Sequence, residues 1–113
     1  MIVGLLPDAA AAEILLTNLA EAEFDLRNVS IVMQDAQQRA AIADETGPLK
    51  GTGVTELAQR LTQVGLPART ADSYAAAVRH GKVFVALDVP EPLAAMAREM
   101  LHDHAAQFIQ GVP

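Results

Sequence analysis

Two strand-helix-strand patterns, one at each end of the chain, restrict the possible folds more than any other feature of the sequence. In residues 1–34, a short apolar run is followed by leucines at helical spacing and then by an alternating run. In residues 82–113, the alternating run from Lys82 to Val89 precedes an apolar helical stripe and a last short strand around Phe108. Two such modules with right-handed crossovers predict an α/β (α+β) domain of the ferredoxin-like type. Its four-stranded, mainly antiparallel sheet would carry both crossover helices on one face.

The segment between the modules has the pattern of a loop followed by two helices. Residues 35–54 lose the apolar period, which predicts a mobile loop with one helical turn around residues 37–43. Residues 55–81 carry two apolar helical patterns separated by Gly65 and Pro67, which predicts an inserted αα-hairpin. A single domain over residues 1–113 is therefore expected. Either the hairpin or a partner chain would cover the second face of its sheet.

The composition favours an aliphatic core and excludes cysteine chemistry. Of the 113 residues 51% are hydrophobic, yet there are only three Phe and one Tyr, and no Trp or Cys. Without Cys the chain can form no disulfide, thiolate metal site or cysteine nucleophile, which fits a reducing, cytoplasmic setting. The apolar N-terminus is interrupted at Pro7, far short of the ~20 residues that span a bilayer, so we expect no signal peptide and no membrane partner.

The charge disfavours nucleic acid as a partner. Fourteen acidic residues against eight basic ones give a formal net charge of −6, which repels phosphate backbones at long range. The αα-hairpin could nevertheless be a helix-turn-helix, with Arg69, Thr70 and Ser73 offered by its second helix to a DNA groove. Few basic residues accompany them, so DNA binding is the least favoured alternative.

Three parts of the sequence resemble one bacterial family. They are IVGLLPDAAAAE at residues 2–13, EFD at 23–25 with VSIV at 29–32, and GLP, DSY and VRHGKVFV between residues 65 and 85. This chain thereby resembles the general stress protein 17M-like (heat-induced stress protein) domain family. The resemblance implies a small stress-associated domain with no established enzymatic activity. Family members usually carry a Gly/Ala-rich apolar segment between the halves, whereas residues 36–53 are polar here.

Two short motifs contain residue types that bind metals or anions. The cluster His102-Asp103-His104 has metal-ligand side chains, but helical residues two apart diverge by about 200°, so we expect solvated histidines near a helix C-terminus rather than a metal site. The glycine-rich stretch from Gly47 to Gly53 precedes a helix and contains Lys50. It lacks the order of Gly, Lys and Ser/Thr found in phosphate loops, which favours a linker.

The candidate ligand- or partner-binding residues lie in the second hairpin helix and on two strands. Asp72, Tyr74, Arg79 and His80 lie in one predicted helix and could form a polar cluster near its end, where a carboxylate or phosphate could bind. Phe84, with Ala86, and Gly4 are expected on the sheet face opposite the crossover helices. Asp88 is a carboxylate in an apolar strand, but no second catalytic group is fixed beside it. We therefore predict no catalytic residues, metal site or cofactor.

Three functions follow from these observations. The leading hypothesis is a non-enzymatic, stress-associated interaction or regulatory domain that acts as a homo-oligomer, with a dimer favoured, or through a protein partner. The alternative is a small-molecule-sensing domain that holds a ligand between the sheet and the αα-hairpin. The third is the DNA-binding hairpin described above. An enzyme is not expected, because no nucleophile motif, carboxylate pair or cofactor fingerprint is visible.

Overall fold

The computed structural model describes residues 1–112 and places helices on both faces of one four-stranded sheet. The strands are β1 (Ile2–Leu6), β2 (Val29–Val32), β3 (Val83–Leu87) and β4 (Gln107–Gly111). The helices are α1 (Ala9–Glu21), α2 (Ala36–Ile42), α3 (Leu57–Gln63), α4 (Ala68–Arg79) and α5 (Glu91–Asp103). Short 3-10 turns at Leu26–Asn28 and Val54–Glu56 lead into β2 and α3.

The two strand-helix-strand modules interleave in a single sheet. The strand order is β2-β3-β1-β4, and every neighbouring pair is antiparallel. Helix α1 connects β1 to β2 past β3, and α5 connects β3 to β4 past β1. Each module therefore contributes one central strand and one edge strand. The expected mixed α/β domain with a four-stranded antiparallel sheet is confirmed.

The first face of the sheet is buried by α1 and α5. Helix α1 begins where the sequence predicts, because the Asp8 carboxylate accepts a hydrogen bond from the Ala11 amide at 2.9 Å and caps the first turn. Full burial of one leucine side chain contributes about 1.5–3 kcal/mol. The buried layer joins Ile2, Leu6, Ile31, Val83, Val85 and Leu87 of the sheet to Leu15, Leu19, Ala97 and Leu101 of the helices.

The second face is covered by the chain's own αα-hairpin, formed by α3 and α4. Phe84 and Ala86, expected on a face open to a partner, are both 0% exposed. The hairpin settles which of the two expected covers is used, and this sheet face is not available to a second chain. The buried layer contains Val3, Leu5, Val32, Phe84 and Ala86 of the sheet with Leu57, Leu61, Ala71, Tyr74, Ala75 and Val78 of the hairpin.

The expectation that Gly4 shares this face with Phe84 is wrong. In the β1–β3 register Gly4 lies opposite Val85, which belongs to the layer under α1 and α5, whereas Leu5 lies opposite Phe84. Successive residues of a strand alternate between faces, so Gly4 points away from the hairpin. The error follows from the pairing register, which the alternation within one strand does not reveal.

The segment expected to be a mobile loop contains α2 and makes specific contacts with β2. Ser30 is the anchor: its hydroxyl donates to the Thr46 carbonyl at 2.7 Å and accepts from the Leu49 amide at 2.9 Å. Leu49 is only 2% exposed and joins the layer under the hairpin. Since β2 is an edge strand, these contacts cover the residues next to its outer edge.

Two strands end earlier than the alternating patterns predict. β2 stops at Val32 rather than Gln34, because its ladder with β3 ends at the pair Val32–Phe84 and the chain then turns into α2. β3 stops at Leu87, and Asp88 is exposed to solvent just beyond the last paired residue. Both differences lie at element ends, where hydrogen-bond pairing rather than residue type sets the boundary.

Gly47 allows the segment of residues 35–54 to approach β2 closely. Its φ is +84°, and a Cβ built there would lie 2.6 Å from the Val29 carbonyl carbon. We expect Gly47→Ala to combine left-handed strain of about 1–2 kcal/mol with overpacking of about 1–3 kcal/mol. Gly51→Ala is the matched control, because Gly51 has a φ of +80° but no atom within 4 Å of the added Cβ. Urea unfolding of both variants measures the difference, and equal losses would contradict the close approach.

Candidate functional site

A groove runs between helix α4 and the edge strand β4. It encloses about 470 Å³, a volume within the range of small-molecule sites, which is roughly 300–1,000 Å³. Most of its surface is apolar, and the polar groups come from the first half of α4 and the end of β4. The lining residues are Leu5, Arg69, Thr70, Ser73, Tyr74, Ala77, Phe108, Ile109 and Gln110.

The β4 wall of the groove is a β-bulge. Val3 pairs with Gln110 and Leu5 with Gln107, so Phe108 and Ile109 together stand opposite the single residue Gly4. A Cβ on Gly4 would lie 3.4 Å from Ile109 Cγ1 and 3.6 Å from the Gln107 carbonyl oxygen, both ordinary contact distances. The bulge therefore does not require a glycine at position 4.

Phe108 occupies the strained position of the bulge. Its φ is +54°, a left-handed conformation that a bulky residue seldom adopts and that glycine usually fills in bulges of this kind. Its side chain is 72% exposed, so packing does not explain its presence. An exposed aromatic ring on strained backbone in the wall of a groove is the kind of outlier that marks functional positions.

Tyr74 fixes the bulge to α4. Its hydroxyl donates a short hydrogen bond to the Phe108 carbonyl oxygen. Its ring packs edge-on against Phe84, with centroids 5.2 Å apart and planes at 77°. Burial raises the pKa of the Tyr74 phenol above its ordinary value. The phenol therefore stays protonated at neutral pH and remains a hydrogen-bond donor.

Arg69 supplies the positive charge of the groove. It lies in the first turn of α4 and is exposed. Among residues 1–112 the ion pairs are Arg27–Asp25 at 2.9 Å and Arg39–Glu45 at 4.0 Å, and Arg69 takes part in neither. The groove lining contains no Asp or Glu. Its charged character therefore comes from one guanidinium.

A second depression, between α2 and β2, contains an arginine that is already ion-paired. It encloses about 340 Å³ and is lined largely by residues 40–44. Its arginine, Arg27, already holds the Asp25 carboxylate through Nε and Nη2, at 3.0 and 2.9 Å. This pairing lowers the pKa of Asp25, so the carboxylate stays ionised beside the guanidinium. The local charge is thus neutralised here, whereas it is not at Arg69.

The structure separates the candidate residues named from the sequence into two groups. Tyr74 lines the groove, Phe84 lies beneath the Tyr74 ring, and Gly4 lies opposite the bulge. Arg79 and His80 lie at the other end of α4, about 15 Å from Arg69 by the rise of the helix. His80 Nδ1 is 2.7 Å from the Ala76 carbonyl of its own helix. Tyr74 is buried and bonds to Phe108, whereas Arg79 and His80 are exposed, and among residues 1–112 no hydrogen bond joins Tyr74 to either of them.

Sequence reasoning did not select Phe108 as a candidate and considered Arg69 only for DNA. A signal for Phe108 was present, because this aromatic residue stands between Gln107 and Gln110 in a short strand that is otherwise polar at both ends. The bulge, however, depends on the β1–β4 register, which no local pattern specifies.

The remaining motifs make local contacts. His104 Nε2 is 2.7 Å from Asn18 Nδ2 of α1, while His102 and Asp103 are exposed. In the described part of the chain no group of three His, Asp or Glu residues is placed to hold a metal ion. Within the glycine-rich stretch the Pro48 carbonyl accepts a hydrogen bond from Arg60 Nη2 at 3.3 Å. Arg69, Thr70 and Ser73, assigned to DNA by the helix-turn-helix hypothesis, line the groove beside β4.

Comparison of the chain with protein-family models, curated proteins and solved structures gave no match. In residues 1–112 no helix is both long enough and apolar enough to cross a membrane.

The strain at Phe108 can be measured with two substitutions. Phe108→Gly and Phe108→Ala both remove the ring, so their difference isolates the cost of the left-handed backbone. That cost is about 1–2 kcal/mol for a residue with Cβ, against about 0.4–1 kcal/mol of extra unfolded-state entropy for Gly. We expect the Gly variant to be more stable than the Ala variant by about 0.5–1 kcal/mol in urea unfolding. An Ala variant at least as stable as the Gly variant would contradict the assigned conformation.

Burial of Tyr74 can be tested by alkaline titration. Tyr74 is the one tyrosine in the chain, so tyrosinate absorbance reports this group alone. We expect its midpoint in the folded protein to lie above the ordinary 10.0. The neutral Tyr74 phenol then adds to the free energy of unfolding. This contribution is fully present below the pKa of Tyr74 in the unfolded chain and is lost as the pH rises through its pKa in the folded protein. Titration of folded and urea-unfolded protein gives both values, and equal midpoints would refute the effect of burial.

Proposed function

We propose that this chain is a non-enzymatic binding domain that recognises a small molecule in the groove between α4 and β4. The observation that carries the proposal is Phe108, an exposed ring held on left-handed backbone in the groove wall. Its carbonyl is fixed by the Tyr74 hydroxyl. Backbone strain without a packing gain is explained if the ring contacts a ligand.

The position of the groove favours ligand binding over a partner on the sheet. The oligomer hypothesis depended on an uncovered apolar sheet face, and that face is filled by α3 and α4. The sensing hypothesis placed a ligand between sheet and hairpin, and the groove lies at the border of those two layers. We therefore retain a regulatory binding role and no longer assign the sheet face to a dimer.

The lining of the groove supports a role in binding rather than catalysis. It contains Ser73 and Tyr74 hydroxyls but no His, Asp, Glu or Lys that could act as a base beside them. The Ser73 hydroxyl donates to the Arg69 carbonyl of its own helix at 3.0 Å. The hydroxyl proton is therefore used in a hydrogen bond within α4 and is not directed at a reacting atom.

We further propose that the domain is ferredoxin-like, stress-associated and cytoplasmic. The order β2-β3-β1-β4 with α1 and α5 on one face supports a ferredoxin-like arrangement, into which α3 and α4 are inserted. The resemblance to the general stress protein 17M-like family supports a stress-associated role. The absence of Cys supports a reducing, cytoplasmic setting.

The experiment fills the groove with a side chain and measures ligand binding. The probe is 2-naphthamide, a neutral flat molecule, and fluorescence of the single Tyr reports its binding because the chain has no Trp. We expect the native protein to bind the probe and Ser73→Phe to weaken binding at least about tenfold, equivalent to 1.4 kcal/mol.

Thr17→Phe is the matched control for this experiment. Thr17 is also exposed on a helix, and its hydroxyl also donates to the carbonyl four residues earlier, at 3.1 Å. It lies on α1, outside the groove. Binding should survive Thr17→Phe unchanged. Equal effects of the two substitutions would refute the groove as the binding site.

A further inference from the structure

We infer that the ligand of the groove is a small organic anion, a monocarboxylate with a flat apolar body, and that Arg69 holds its carboxylate. The inference rests on the proposed function and specifies its ligand. It is argued from the charge of the lining, the position of Arg69 and the shape of the walls.

The charge of the groove lining differs from that of the chain as a whole. The chain carries a formal charge of −6, so its overall field attracts cations and repels anions. In the groove lining, however, the one charged residue is Arg69. A cationic ligand would meet like charge there, and a neutral one would leave the guanidinium without a partner. Charge complementarity therefore favours an anion.

Arginine suits a carboxylate in particular. Its planar guanidinium can donate two parallel hydrogen bonds to the two carboxylate oxygens. Arg69 is exposed and outside both ion pairs of the described residues, so no bond within the chain must be broken before a ligand binds. Thr70 places a hydroxyl group in the same lining, where it can donate to a further oxygen atom of the ligand.

The opposite wall accepts an apolar, flat body. Phe108, which is 72% exposed, lines the groove on the β4 side, and Leu5 of β1 and Ala77 of α4 add apolar surface. Aromatic rings pair by offset stacking or edge-to-face contact, each worth about 0.5–1.5 kcal/mol beyond simple burial. A molecule with its carboxylate at Arg69 and its ring against Phe108 would use both walls at once.

The test compares 2-naphthoate with 2-naphthamide, which have the same ring system and differ in charge. We expect the native protein to bind the acid about tenfold more tightly than the amide, equivalent to 1.4 kcal/mol. Arg69→Gln should remove this preference, because it should weaken binding of the acid and leave binding of the amide unchanged. Arg69→Lys keeps the charge but loses the paired donors, so an intermediate loss is expected. Added salt should reduce the preference of the native protein.

Arg79→Gln is the control for charge on the same helix. Arg79 is exposed, like Arg69, but lies at the other end of α4 and outside the groove. It should leave the preference for the acid intact. Loss of the preference in Arg79→Gln but not in Arg69→Gln would overturn the inference and support the polar cluster predicted from the sequence.

The outcomes separate the inference from the proposed function. If acid and amide bind equally and Ser73→Phe weakens both, the groove is the site but the anion inference is wrong. If Arg69→Gln weakens acid and amide alike, Arg69 contributes no charge selectivity and the inference is again wrong. If the native protein binds neither probe, both the proposed function and the inference fail.

Discussion

The structure depends on covering a sheet whose central strands are apolar on both faces. All five residues of β3 are buried, and so are all five of β1. Two crossover helices can bury only one face of such a sheet, because right-handed connections place them on the same side. The other face must be covered by additional structure or by another molecule. Here α3 and α4 provide that cover, with Leu57, Leu61 and Val78 all fully buried.

The groove is a consequence of how the hairpin meets the edge of the sheet. Tyr74 reaches from α4 to both the central strand β3, through Phe84, and the edge strand β4, through the Phe108 carbonyl. Beyond this contact β4 bulges, and helix and strand leave a space between them. A bulge on an edge strand also discourages pairing with another chain, since it disrupts the regular row of backbone donors and acceptors. The same bulge thus lines the groove and interrupts the outer edge of the sheet.

The elements were more predictable than the site. The Asp8 cap, the alternation in β3 and the paired helices after Thr55 are local signals, and each corresponds to an observed element. Tyr74 was selected as a polar residue near Arg79 and His80, yet its partners proved to be Phe84 and Phe108. Helix α4 contacts the sheet through residues that are distant from it in the sequence. No spacing within α4 could reveal which of its residues would face β4.

Helix α2 lies in a segment that was expected to be a mobile loop, but the sequence by itself determined the four strands, the helices α1, α3, α4 and α5, and the need to cover both apolar faces of the sheet. These follow from periodicity and capping, which act over a few residues. Tertiary structure alone decided that the chain's own hairpin fills the second face. It also turned Gly4 away from that face and placed Arg69 and Phe108 in the lining of one groove. The reason is that strand register and helix docking are set by packing between distant segments, and a shift of one residue in register exchanges the faces of a strand.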